Sequence, residues 1–298
     1  MSISCICAIF LFFMGLSLHE NKLLSAIIAK LNTFIIYLLL PMTIISSMNS
    51  FCFHEIELFI PVVAVLWTSL MAAIIIIFYH IKSSDRLKAG SNIIMFCTAE
   101  GGSLGLIYAL LVFDKNTLGM FFLYDFTIAL LLFSFVNFLA SGYGQLKNYQ
   151  SKSLFEFLIS PMMLSMLIGI LLNLMHYQLP AMLIKILDSS EYLILPVVSL
   201  MLGYYLDFKV IYLRNALYYS TNRLIISLII ALICILIFAH HQYNIQLLII
   251  LMAILPPSFI SLSFSEEYGL DTKMIANTIS ISTLISILCF ISVYVFIL

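Results

Sequence analysis

A chain of 298 residues that is 63% hydrophobic and 9% charged cannot cover the surface of a soluble domain, for which roughly 25% charged residues is usual. Its formal net charge of −1 gives no pointer to nucleic acid as a partner, and its six cysteines (Cys5, Cys7, Cys52, Cys97, Cys234, Cys289) form no CxxC pair and no His/Cys metal spacing. The composition describes an integral membrane protein with no metal site and no cofactor.

A membrane-spanning helix needs roughly 20 mainly apolar residues. Walking along the chain gives ten candidate spans, at 3–18, 23–48, 56–79, 93–113, 118–140, 154–175, 192–206, 218–238, 245–264 and 274–297. Residues 1–10 hold no Lys or Arg. They therefore lack the basic region of a secretory signal and read as part of the first span. Residues 180–187 read as a short interfacial helix, and residues 142–153 as a short polar connection between two halves, 1–141 and 154–298.

Two spans are interrupted. The ninth carries Pro256 and Pro257, which together remove two backbone donors and clash with the preceding turn. The fourth carries Glu100-Gly101-Gly102-Ser103. Gly102 lies about as far before the polar corner Lys115-Asn116 as Pro257 lies before the polar corner Gly269-Leu270-Asp271. Freed backbone groups survive in lipid only where protein or a wet cavity surrounds them. Paired breaks in corresponding spans mark an inverted-repeat transporter. Prolines also match in the second span of each half, Pro41 and Pro196.

Loop charge supplies the orientation. Lys22, Lys30, Lys82, Arg86, Lys88, Lys147, Lys152, Lys209, Arg214, Arg223 and Lys273 fall in alternate loops, eleven of the thirteen basic residues. Lys115 and Lys185 fall on the other side. The positive-inside rule makes the eleven cytoplasmic, which with ten spans puts both termini outside. Five spans per half then require the second half to be inverted.

Four stretches resemble the auxin efflux carrier family of bacterial and plant membrane transporters: GLSLHENKLLSAIIAKLNTFIIYLLLP (15–41), AEGGSLGLIYALLVFDKNTLGMFFLYD (99–125), LPVVSLMLGYYLD (195–207) and LPPSFISLSFSEEYGLDTKMIANTISISTLIS (255–286). The resemblance covers nearly the whole chain. It implies a sodium/proton antiporter-like fold, in which spans one, two, six and seven form a scaffold. Spans three to five and eight to ten then form a transport domain with two broken helices crossing at the midplane. It further implies small organic anions as substrates, such as malonate, malate or auxin-like carboxylates, and a possible homodimer. The chain departs from the family's fourth-span pattern. Glu100 stands where many members have Asn, and Ile107 where they have proline. The fourth-span break is therefore expected to rest on Gly101-Gly102.

Each break opens a new helix N-terminus, where the oxygens of Ser103 and Ser258 can cap free N–H groups. Such ends carry roughly half a positive charge and favour an anion. A carboxylate at mid-membrane costs a few kcal/mol, roughly 2.5–3.5 on insertion scales for Asp, and is a functional candidate by default. Glu100 is accordingly expected to couple transport to protons. The alternatives are a Na⁺ ligand, a selector for cationic cargo, or a structural residue. Asp125, in the fifth span, is a second candidate for titration or ion binding, and its counterpart in the tenth span is hydroxyl-rich around Ser282. Glu266, Glu267 and Asp271 read as solvated. Asp207, Lys209, Arg214 and Arg223 read as loop or headgroup contacts, and Asn32, Asn137 and Asn173 as bridges between helices. His240-His241 lacks partners for a metal.

The expected protein is thus a secondary transporter (permease) of the cell membrane that moves an organic anion by alternating access, proton-coupled, and not an enzyme. A Na⁺-coupled bile-acid-type symporter and a non-transporting receptor or assembly subunit are the rivals. An intramembrane enzyme would need a dyad at depth, and Glu100 and Asp125 sit 25 residues apart on different spans.

Overall fold

The computed structural model describes residues 10–15, 17, 27, 30–31, 33–51, 59–82, 85–144, 155–156, 158–177, 179–205, 213–239 and 242–297. Several expectations lie outside these: most of the first span, Lys22, Asn32, Cys5, Cys7, Cys52, residues 145–153 of the connection with Lys147 and Lys152, Asp207, Lys209 and His240-His241. Among the described residues every regular element is helical. In chain order these are α1 (Ile35–Ser50), α2 (Phe59–Lys82), α3 (Arg86–Phe96), α4 (Leu106–Val112), α5 (Lys115–Tyr143), α6 (Pro161–Leu174), α7 (Ala181–Tyr205), α8 (Leu213–Phe238), α9 (Tyr243–Ile254), α10 (Ile260–Tyr268) and α11 (Thr272–Ile297). Five stretches are long and apolar enough to cross a membrane: Phe59–Ile81, Arg86–Val112, Lys115–Tyr143, Leu213–Phe238 and Thr272–Val295. The chain is a helical membrane protein.

Local chemistry sets the helix ends. The Asp85 carboxylate accepts from the Leu87 N–H at 3.1 Å and starts α3. Asp114 does the same for α5 through the Thr117 N–H at 3.0 Å, and Asp271 for α11 through the Met274 N–H at 3.0 Å. These are N-caps, in which a short side chain accepts from a donor the helix itself cannot use. Ser160 caps α6 with Pro161 in its first turn. Gly269, at φ 63°, ends α10 in the left-handed conformation that glycine adopts at least cost.

The chain divides into two compact units. The first takes its described residues from Met1–His54, Leu106–Phe122 and Glu156–Asp207. Within it α1 packs closely on α6, because a Cβ added at Gly169 would lie 2.6 Å from the Met48 Cβ. Small residues allow this approach between apolar helices. Asn173 turns its amide to the carbonyls of Met48 and Asn49 at 2.9 Å and of Phe51 at 2.6 Å, meeting the acceptors that the end of α1 leaves free. Pro41 follows a π-helical turn, Ile35–Leu39, and Pro196 lies inside α7. The expected interfacial helix at 180–187 is not separate, for α7 runs through it without interruption to Tyr205. Nothing between Ala181 and Pro196 breaks a helix, and Pro196 itself lies inside α7 without ending it.

The second unit takes its described residues from Glu55–Gly105, Leu123–Phe155 and Phe208–Leu298. In it α8 runs against α11, joined by a hydroxyl chain. Ser282 Oγ donates to Ser220 Oγ at 2.9 Å, and Ser220 Oγ donates to the Thr278 carbonyl at 3.2 Å. Asn137 accepts from the Tyr268 hydroxyl. Both breaks expected from sequence lie in this unit.

Candidate functional site

The fourth-span break falls slightly earlier than expected. Cys97–Glu100 are non-helical, and Gly101–Gly105 form a π-helical turn that leads into α4. Gly101-Gly102 therefore open the second segment instead of forming the gap. The turn closes with the Gly105 N–H donating to the Glu100 carbonyl at 3.0 Å. Ile107, at the family's proline position, is buried inside α4, so the break stands without a proline. The ninth-span break occupies Leu255–Ser258 between α9 and α10, as Pro256 and Pro257 require. The two gaps are tied directly, with the Glu100 N–H donating to the Pro256 carbonyl at 2.9 Å.

The Glu100 carboxylate is the centre of the site. One oxygen accepts from Ser103 Oγ at 2.8 Å. The other accepts from the Phe259 N–H at 2.9 Å and from Ser258 Oγ at 3.2 Å. The two serines thus act differently from the expectation. Their hydroxyls donate to Glu100 rather than capping free N–H groups. The Ser258 N–H is met instead by Thr98 Oγ1 at 3.2 Å. Thr98 also donates to the Ile94 carbonyl at 2.8 Å and shares a hydrogen bond with Ser261 Oγ at 3.2 Å. A carboxylate at the start of α10 lies where the helix dipole favours negative charge. The position that sequence reasoning gave to an anionic substrate is held here by the protein's own side chain.

Asp125, in α5, joins the site. Its carboxylate fills the place a Cβ on Gly101 would take, so residue 101 has to be glycine for Asp125 to lie there. A Cβ on Gly102 meets nothing within 4 Å. Glu100, Gly102, Ser103 and Asp125 are partly exposed, whereas Gly101, Pro256, Pro257 and Ser258 are buried. The site therefore has an open side at Gly102 and a closed side at the second break. Ser282 lies in the α8–α11 hydroxyl chain, and Pro41 and Pro196 belong to the other unit.

Arg223 corrects the sequence reading. Counted with the cytoplasmic loop charges and read as a loop or headgroup contact near the start of the eighth span, it instead lies ten residues into α8 and is 2% exposed. Its Nε donates to the Met95 carbonyl at 2.9 Å, and its two terminal nitrogens donate to the Leu255 and Thr98 carbonyls. These oxygens come from both gaps. Breaking two helices leaves carbonyls that lipid cannot satisfy and puts two partial negative charges at the helix ends. A guanidinium, with five donors in a fixed plane and a permanent charge, answers both demands. Ser227, one turn further along the same face of α8, donates to the Ala253 carbonyl at 2.8 Å and accepts from Trp67 Nε1 at 2.9 Å. The Trp67 ring lies 5.8 Å from the guanidinium carbon, within cation–π range. Removing Arg223 from the loop charges leaves ten basic residues against two. The signal that could have revealed it was a lone arginine inside an apolar run. That run starts at Leu213, five residues before the expected span.

Among the described residues no group of three or more His, Cys, Asp or Glu is positioned for a metal ion. The arrangement sorts charge by sign. Helix starts and two hydroxyls face one carboxylate, helix ends face one guanidinium, and a second carboxylate flanks the opening. It can bind and release a proton or cation at the carboxylates, and it can present N–H and O–H donors to an anion when Glu100 is neutral. No protein-family model matches the sequence, and no curated protein matches it.

Proposed function

We propose that the chain is a secondary active transporter of the cell membrane, coupled to protons. Its cargo is a small organic anion, a mono- or dicarboxylate or an auxin-like acid, moved by alternating access. The observation that carries this reading is the Glu100 carboxylate bound to the Phe259 N–H and to the hydroxyls of Ser103 and Ser258. Those donors are the ones an anionic ligand needs. Protonating Glu100 weakens its hold on them and removes its repulsion, so proton and anion bind together. Asp125, against Gly101, is the second acidic group of the same opening and extends the range over which protons and anion are linked.

The ten-span, five-plus-five inverted arrangement, with both termini outside, belongs to this proposal, as does kinship with the auxin efflux carriers. Matched breaks and loop charge support it. The separation into two units, one holding both breaks, fits a transport body working against a scaffold. A homodimer is part of the same reading.

A Na⁺-coupled symporter is the second reading, favoured by two partly exposed carboxylates at the opening. Against it, a Na⁺ site in a broken helix draws on freed carbonyls, and those of Met95, Thr98 and Leu255 are taken by Arg223. The test is counterflow in proteoliposomes, loaded in turn with each of a panel of mono- and dicarboxylates. Exchange of at least one labelled carboxylate, without added Na⁺, is expected. Exchange that requires Na⁺ favours the symporter. Tight binding of a carboxylate with no exchange favours a receptor.

A further inference from the structure

A second candidate site lies at the end of the second unit where α3, α8 and α11 begin, the length of α3 from the gap at Cys97–Glu100. A cavity of about 480 Å³ opens there, lined by Lys88, Asn215, Tyr219, Asp271, Lys273 and Asn277. A groove of about 170 Å³ begins at the same Tyr219 and runs between apolar side chains, among them Ile74, Phe78, Phe96 and Ile226. The two differ in chemistry and share a wall.

Charge at the polar end favours an anion. Lys88 and Lys273 are exposed there in the first turns of α3 and α11, where the helix N-terminus carries partial positive charge. Two acidic groups share this end, each with one carboxylate oxygen taken by a helix start. Asp271 caps α11 through the Met274 N–H at 3.0 Å, and Asp85 caps α3 through the Leu87 N–H while lying 3.8 Å from Lys88. Asn215 and Asn277 add amide donors to the cavity wall. The apolar end lies deeper along the helices. Ile226 is thirteen residues past the start of α8, about 20 Å at 1.5 Å per residue. Ile74 and Phe78 present their side chains on the exposed face of α2. Head at the helix ends and chain toward the middle is the order in which a bilayer lipid lies.

We infer that the cavity and groove together bind an anionic phospholipid, its phosphate between Lys88 and Lys273 and an acyl chain along the α2–α3–α8 groove. The site needs no part in transport, since none of its lining residues hydrogen-bonds to the Glu100 carboxylate or to the Arg223 guanidinium.

Thermal unfolding of the full chain in detergent tests this. The additives are phosphatidylglycerol, phosphatidylcholine with the same acyl chains, and inorganic phosphate. Phosphatidylglycerol is expected to raise Tm more than phosphatidylcholine, with an apparent affinity roughly tenfold higher. Inorganic phosphate is expected to have no effect. The double variant Lys88→Gln/Lys273→Gln is expected to keep the Tm of the lipid-free protein and to lose the preference for phosphatidylglycerol. A second variant, Ile226→Trp, fills the groove and is expected to weaken both lipids. Equal stabilisation by the two lipids, a shift reproduced by inorganic phosphate alone, or a preference that survives the double variant would each overturn the inference.

Discussion

Glu100 fills the donors of its own site, and on the proposed function this links proton binding to substrate binding. While ionised it accepts from Phe259 N–H and both serine hydroxyls, and an entering carboxylate meets filled donors and a like charge. On the proposed function anion affinity is expected to rise as pH falls, and by reciprocity anion binding to take up a proton. Glu100→Gln is neutral at every pH. It is expected to bind the anion with a much weaker pH dependence, the remainder being carried by Asp125, measured by calorimetric titration across several buffers. Unchanged pH dependence in Glu100→Gln assigns the proton to another group. The glycines beside it separate by geometry. Gly101→Ala drives a Cβ into the Asp125 carboxylate and should cost about 1–3 kcal/mol together with activity. Gly102→Ala faces open space and should stay within about 0.5 kcal/mol of wild type. Equal thermal stability of the two variants contradicts the geometry. Glu100 and both glycines stood out in sequence as a polar break in an apolar run, and Asp125 as a carboxylate within one. Arg223 was not, since an arginine near a span end ordinarily reaches for headgroups, and only the fold brings the carbonyls of Met95, Thr98 and Leu255 to it.

At the scale of elements, a broken helix is possible only because another helix meets its loose ends. Face-sharing Arg223 and Ser227 of α8 bind carbonyls from both gaps. Each buried acceptor left unpaired costs about 1–3 kcal/mol. Arg223→Leu, which strands three, is expected to lower stability by about 3 kcal/mol or more, read as a fall in Tm in detergent. An unchanged Tm would show that water replaces the guanidinium without loss. The proline pair gives the complementary experiment. An interior proline costs a helix about 3 kcal/mol, so Pro256→Ala/Pro257→Ala should keep or raise Tm while abolishing flux, because a continuous helix withdraws the Phe259 N–H from Glu100. Normal flux in that variant would show that the gap is dispensable. Sequence found both breaks because two prolines, or a Glu-Gly-Gly-Ser run, cannot be hidden in an apolar span. It misjudged their edges. The fourth-span gap is Cys97–Glu100, and nothing in the local residue types distinguishes the last unwound residue from the first turn of α4. The same limit joined residues 180–187 to α7, whose register depends on packing that propensity does not encode.

The molecule as a whole combines a unit that carries both breaks with a unit built around α1, α6 and α7. This division follows spatial contact and cuts across the two sequence halves, so splitting the spans at the midpoint does not give it. Loop charge does speak to the whole molecule. The proposed topology has the α5 start outside and the α10 end inside. With the six native cysteines replaced by serine, Asn116→Cys should react with a membrane-impermeant thiol reagent on intact cells, and Glu266→Cys only after permeabilisation. The reverse pattern, or reaction of both from outside, would refute the inverted five-plus-five arrangement. The measurement that reaches the central claim most directly is the initial rate of labelled carboxylate uptake into proteoliposomes under an imposed pH gradient. It is run without Na⁺, for wild type and Glu100→Gln side by side. The account predicts uphill accumulation in wild type, and in Glu100→Gln exchange without accumulation. Accumulation that persists in Glu100→Gln, or that follows a Na⁺ gradient and ignores pH, would contradict it.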